Sequence, residues 1–202
     1  MPQSSLRARG ASTRAWTLNF DFGRALRRVN PQRAIEARVL EGVTDYVGEK
    51  PVGGSQILLD TCVYIDLLQG AMPSPAKALL DARLINHSTV CLCELTYLFG
   101  RLDPADFRTK RALAEIEGVI GDIPAHRLKA PSPQVSGEAG MMAGLLDRAR
   151  HSRKSEGYEL LNDAMIFLQA LEQGQTVLTR NVKDFAQFLA LAPSGRVLFY
   201  RI

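Results

Sequence analysis

The stretch Ile57-Leu58-Leu59-Asp60-Thr61-Cys62-Val63-Tyr64-Ile65 decides the fold. Its three leading apolar residues form a short buried strand ending on Asp60, and Thr61 to Leu68 continues as a helix. Working outward, the same alternation repeats. Ser74 and Pro75 open a helix that runs to Ile85, and Ser88 to Val90 reads as a strand leading into an apolar helix that holds Glu94. Helices follow over 109–121 and 133–151, and Gly157 precedes a helix carrying Asp163. Thr176 to Thr179 is then a strand, Asp184 to Ala190 a short helix, and Arg196 to Tyr200 a final strand. Short apolar runs alternating with longer helical periods predict an α/β domain over 56–202, with a central parallel sheet flanked by helices in three layers.

Residues 1–55 read differently, as an N-terminal extension. The first 29 are rich in arginine and carry no clear period, which predicts a flexible basic tail. Asn30 then caps and Pro31 starts an amphipathic helix over 31–47, with Ile35, Val39, Val43 and Val47 on one stripe. That stripe serves either the domain's own core or a partner. Gly53, Gly54 and Ser55 mark the boundary.

Composition narrows the class. With 202 residues, 46% hydrophobic and 23% charged, the chain can bury one sizeable core. No apolar run reaches the roughly 20 residues that span a bilayer, and no secretory apolar region opens the chain, so a soluble, cytoplasmic protein is expected. The cysteines Cys62, Cys91 and Cys93 lie in apolar runs without C-x-x-C spacing, and all three read as reduced core residues. The net charge of +4 comes from the extension: residues 1–50 hold 9 Lys and Arg against 5 Asp and Glu, leaving 16 of each in 51–202. Bulk charge therefore says nothing about nucleic acid for the domain itself.

Acidic side chains inside apolar segments carry the chemical signal, because burying a carboxylate is costly unless a cation or several donors compensate it. Asp60 ends a strand at the edge where open α/β sheets place ligands, or else caps the next helix. Glu94 interrupts a helix that is apolar nearly all round. Asp163 opens Ala164-Met165-Ile166-Phe167-Leu168, either as a ligand or as a first-turn acid favoured by the helix dipole. Asp66, on the helix after Asp60, is expected to face solvent. Thr179, Arg180, Asn181 and Asp184 follow a strand end: Thr179 can bond a carboxylate, Asn181 can offer a neutral oxygen, and Asp184 ligates or caps. Arg180 is a phosphate-binding cation or a solvated charge.

Carboxylates converging on one pocket repel one another unless metal neutralises them, and oxygen donors favour Mg²⁺ or Mn²⁺. Such ions hydrolyse phosphodiesters without a catalytic His or Ser. The histidines His87, His126 and His151 match no triad, and no G-x-x-x-x-G-K-[ST] loop occurs.

The ordered set Leu58-Leu59-Asp60-Thr61-Cys62-Val63, Glu94-Leu95, Leu161-Asn162-Asp163-Ala164-Met165-Ile166 and Val177-Leu178-Thr179-Arg180-Asn181-Val182-Lys183-Asp184-Phe185 resembles the PIN domain, most closely the VapC-type toxins of toxin–antitoxin pairs. The resemblance covers residues 56 to about 200. It implies a PIN-like fold and a Mg²⁺- or Mn²⁺-dependent endoribonuclease that is homodimeric, cleaves RNA and is inhibited by a small antitoxin. Asp60, Glu94 and Asp163 match the family's core acids and would hold the metal; beside that match, Thr61, Thr179 and Asn181 are the supporting candidates and Arg180 is the candidate RNA contact. Two departures stand out. Family members often carry Asp directly after Thr-Arg, where this chain has Asn181, which makes Asp184 the preferred fourth acid. Phe167 occupies a position where small residues are common. A catalytically degenerate interaction module using the stripe of the extension, and a DNA-directed nuclease, are the alternatives.

Overall fold

The computed structural model describes residues 20–29, 45–48, 54–150 and 157–202. Among these, six strands form one all-parallel sheet in the order β1-β6-β5-β2-β3-β4. The elements run α1 (Phe22–Arg28), β1 (Asp45–Tyr46), β2 (Ile57–Leu59), α2 (Thr61–Leu68), α3 (Ser74–Ala82), β3 (Ile85–Ser88) and α4 (Thr89–Arg101). They continue as α5 (Lys110–Gly121), a 3-10 turn (Ala125–Arg127), β4 (Leu128–Lys129), α6 (Pro133–Arg150), α7 (Gly157–Glu172), β5 (Thr176–Thr179), α8 (Val182–Leu191) and β6 (Val197–Phe199).

The α/β class and parallel sheet agree with the sequence. Ile57, Leu58, Val177 and Leu178 are fully buried, as strands covered on both faces must be. β2 pairs with β5 in the register Leu59↔Leu178 and with β3 in the register Leu58↔Asn86. The chain thus passes from β2 outward to β3 and β4, then returns to the other side of β2 for β5 and β6. The strand order reverses between β2 and β5, and open α/β sheets form their ligand crevice at such a point, beyond the strands' carboxyl ends. Asp60 follows β2 there, and Arg180 and Asn181 follow β5.

Helices flank the sheet in two groups, α2 with α4 and α5, and α6 with α7 and α8. The second group holds an aromatic cluster in which Phe167 lies 5.6 Å from Phe188 and 6.4 Å from Phe185, ring centre to ring centre. Phe167 is 1% exposed. Its bulk is accommodated by Gly195, where a Cβ would stand 2.4 Å from the ring.

Several expectations are corrected. The strand expected over Ser88–Val90 lies earlier, at Ile85–Ser88; Ser88 caps α4 by accepting from the backbone N–H of Val90 at 3.1 Å. The helix α4 is not apolar all round in its surroundings, since Cys93, Tyr97 and Phe99 are exposed. Of the three cysteines only Cys91 is buried; Cys62 is half-buried and Cys93 exposed. Of the helix expected over 31–47, residues 31–44 lie outside the described residues, and Asp45–Tyr46 is a strand that pairs with Leu198–Phe199. The edge of the sheet offers those two residues backbone partners that a helix there could not use.

Residues 20–29 are also not a free tail. Asp21 caps α1 through Arg24 N–H at 2.8 Å, and Ala25 and Val29 are fully buried. Arg28 Nη1 lies 2.8 Å from Glu138 of α6, whose side chain is 0% exposed. Phe20 sits over Gly137, where a Cβ would come within 2.3 Å of its ring.

Candidate active site

Asp60 is 4% exposed and takes three donors. Its Oδ1 accepts the backbone N–H of Thr61 at 2.7 Å, so it caps α2. Its Oδ2 accepts the Thr179 hydroxyl at 2.5 Å and the Cys62 thiol at 3.0 Å. The two sequence readings of Asp60, cap and site carboxylate, are compatible because each oxygen serves one of them. Burial still outweighs the donors and raises its pKa.

Glu94 joins the two helix groups. One oxygen accepts the Thr61 hydroxyl and the other accepts Asn162 Nδ2 at 2.8 Å. Burial, with Asp60 and Glu159 adding repulsion, outweighs those donors and raises its pKa. Asp163, one residue after Asn162 on α7, is pushed up to about 9, first by burial and then by the charges of Asp60, Asp184 and Glu94. Asn181 opposes that shift by donating from Nδ2 to Asp163 Oδ2 at 2.8 Å. The same nitrogen donates to Asp184 Oδ2 at 2.8 Å, while Asn181 Oδ1 accepts the backbone N–H of Asp184 at 3.2 Å and caps α8.

The structure therefore brings Asp60, Glu94 and Asp184 within electrostatic reach of Asp163, with Thr61, Thr179 and Asn181 bonded among them. Asn181 departs from its expected part: it turns its nitrogen, not its oxygen, to the acids. Arg180 is exposed but not unattached, because its Nε lies 3.1 Å from Asp66 Oδ2. Asp66 overturns its expectation outright. It is 0% exposed and accepts the Tyr200 hydroxyl at 2.6 Å.

Four partners were missed by the sequence: Cys62, Asp66, Asn162 and Tyr200. The apolar setting of Asp66, between Ile65 and Leu67, was the same anomaly that marked Asp60 and Glu94. Tyr200 carried no signal, since only the sheet order brings β6 beside β5. Cys62 is held by burial and by Asp60 at a pKa of about 12, so it is a hydrogen-bond donor rather than a nucleophile.

An all-oxygen donor set in which burial raises Asp60, Glu94 and Asp163, with like charge adding to the last two, fits a hard divalent cation. Among the described residues no three acidic, histidine or cysteine side chains form a ready-made ion cage. The carboxylates are instead tied to neutral donors on Thr61, Thr179, Asn162 and Asn181.

A chain of VapBC2 from Rickettsia felis, solved bound to a DNA fragment from its promoter, superposes with a TM-score of 0.50 at 16% identity, over 72% of this chain and 98% of that one. The fold is PIN-like. Chains of DNA-bound VapBC from Salmonella typhimurium (TM-score 0.49, 22% identity, 71% of this chain and 97% of that one) and of FitAcB from Neisseria gonorrhoeae (0.48, 21%, 71% and 96%) are also similar. No family model and no curated protein matches the sequence. No described helix is long and apolar enough to cross a membrane.

Proposed function

We propose that this chain is a Mg²⁺- or Mn²⁺-dependent endoribonuclease, the toxin of a toxin–antitoxin pair. The observation that carries the reading is the gathering of Asp60, Asp163 and Asp184 around Thr179 and Asn181 at the carboxyl end of β5, with Glu94 beside them, where burial and three neighbouring carboxylates raise the Asp163 carboxyl. The PIN-like fold and the position at the sheet's switch point support it. Asp60, Glu94 and Asp163 would hold the cation, with Asp184 completing the set. When bound, a divalent cation lowers the pKa of a water and stabilises charge at a scissile phosphate. Thr179 and Cys62 fix Asp60, Thr61 and Asn162 fix Glu94, and Asn181 fixes Asp163, so the acids stand oriented before substrate arrives.

The similarity to VapBC2 supports a small protein antitoxin as partner, and a homodimer in the cytoplasm completes the reading. The test is cleavage of a mixed RNA pool by purified protein with Mg²⁺, with Mn²⁺ and with EDTA, wild type against Asp60→Asn, and a DNA pool run alongside. RNA cleavage that needs the ion and is lost in the variant is expected. Full activity of a cleanly purified Asp60→Asn protein would remove the site assignment. Cleavage of DNA alone would move the reading to a DNA nuclease. No cleavage together with no ion binding would move it to an interaction module.

A further inference from the structure

Asp66 is a buried charge that the proposed chemistry leaves unused. It lies on α2, six residues after Asp60, with Oδ2 engaged by Tyr200 and Arg180 and with Oδ1 lacking any hydrogen-bond partner. A carboxylate removed from water is costly unless its surroundings compensate it. Its surroundings do so unevenly: the Asp66 side chain is 0% exposed and that of Arg180 is 45% exposed. The bond grips the inner Nε of the guanidinium and leaves much of the group in solvent.

The place of that group matters. Arg180 stands between Thr179, which bonds Asp60, and Asn181, which bonds Asp163. Its own backbone N–H donates to Cys62 Sγ at 3.4 Å, and that thiol donates to Asp60. The Tyr200 hydroxyl lies 3.7 Å from the same sulfur. Arg180 is thus anchored through both backbone and side chain beside the carboxylate cluster.

We propose that Asp66 and Tyr200 are positioning residues that hold Arg180 as the cation that takes a phosphate oxygen of RNA beside the acid cluster. The proposal rests on the ribonuclease reading. A polyanion approaching four carboxylates meets repulsion, and a guanidinium fixed at Nε offers planar donors to phosphate in one orientation. Lysine does not reproduce this, because its ammonium is a point charge without the planar fork that a bond at Nε orients toward phosphate.

Two measurements test it, each with melting curves to confirm folding. In the first, cleavage is compared for wild type, Arg180→Ala, Arg180→Lys, Asp66→Asn, Tyr200→Phe and the Asp66→Asn/Arg180→Ala double variant. Arg180→Ala is expected to lower kcat/KM about 10²-fold, and Arg180→Lys to recover little of it. Asp66→Asn and Tyr200→Phe are expected to lose less, and the double variant to be no worse than Arg180→Ala alone, because nothing remains to be positioned. If Asp66→Asn does not fold, Tyr200→Phe takes its place in the cycle.

In the second, binding of a single-stranded oligoribonucleotide is followed against salt in an Asp60→Asn background. Arg180→Ala is expected to flatten the slope of log K against log salt by about 0.7. An unchanged slope, or losses that multiply in the double variant, would make Arg180 a counter-charge for the core and overturn the proposal. A flattened slope, where the wild-type protein cleaves nothing with either ion, would keep Arg180 as a phosphate contact while the nuclease reading fails. Absence of any RNA binding would end both.

Discussion

Asn181 donates to Asp163 and Asp184 through one amide nitrogen, 2.8 Å to each. Where a fifth carboxylate would add charge, this chain has a neutral group whose two N–H bonds hold two acids at once.

Replacing it should therefore expose the repulsion it relieves. Asn181→Asp removes both donors and adds a charge, and is expected to destabilise the cation-free protein by on the order of 3 kcal/mol. Mg²⁺ should restore more of the melting temperature in this variant than in wild type. Equal melting temperatures in EDTA would show that the amide does not relieve the cluster.

The raised carboxyls set a pH dependence with a definite sign. Asp163 ionises at 3.8 in the unfolded chain and about 9 in the folded one, so between those values the folded protein holds a proton that the unfolded chain has lost. Stability of the cation-free protein is then expected to fall as pH rises through that window, and to level off above it. Asp60 and Glu94 shift in the same direction. Urea midpoints measured in EDTA from about pH 5 to about pH 9 check this, and a midpoint that rises with pH would contradict it.

The docking of α1 makes a separate prediction. Gly137→Ala drives a methyl into Phe20, and is expected to cost about 1–3 kcal/mol or to release α1 from α6. Phe20→Ala in the same chain should relieve the clash. If Gly137→Ala alone leaves both stability and protease sensitivity unchanged, the packing of Phe20 over α6 contributes nothing.

Phe167 should be costly to truncate because Gly195 has left room for it. Phe167→Ala is expected to lose about 3–5 kcal/mol. Chemical denaturation measures it, and a loss below about 1 kcal/mol would mean that the cluster collapses around the gap.

Much of this architecture was legible because the domain follows simple periods. Strands covered on both faces show as bare apolar runs, so β5 was read at its observed limits and β2 and α2 with it. The acids declared themselves by interrupting such runs. β1 and β4 did not, since two residues are too short to carry a period and their pairing depends on distant partners. Asp66 was misread because helical position alone suggested an outward face, whereas Arg180 and Tyr200 arrive there from other elements. The docking of α1 was hidden for a related reason: Arg24 and Arg28 look like solvated charges until Glu138, more than a hundred residues away, is placed beside them.

The bond from Thr179 to Asp60 would also couple the proposed chemistry to strand alignment. The two residues sit at the ends of neighbouring strands whose register is Leu59↔Leu178. A slip of one residue would turn Thr179 to the opposite face, and a slip of two would carry it roughly 7 Å along the strand. Either misalignment leaves a parallel sheet with helices but parts the hydroxyl from the carboxylate. The acid cluster therefore proofreads its own scaffold: a chain that has paired β2 with β5 wrongly keeps the look of the fold and lacks the assembled cluster on which the proposed activity rests.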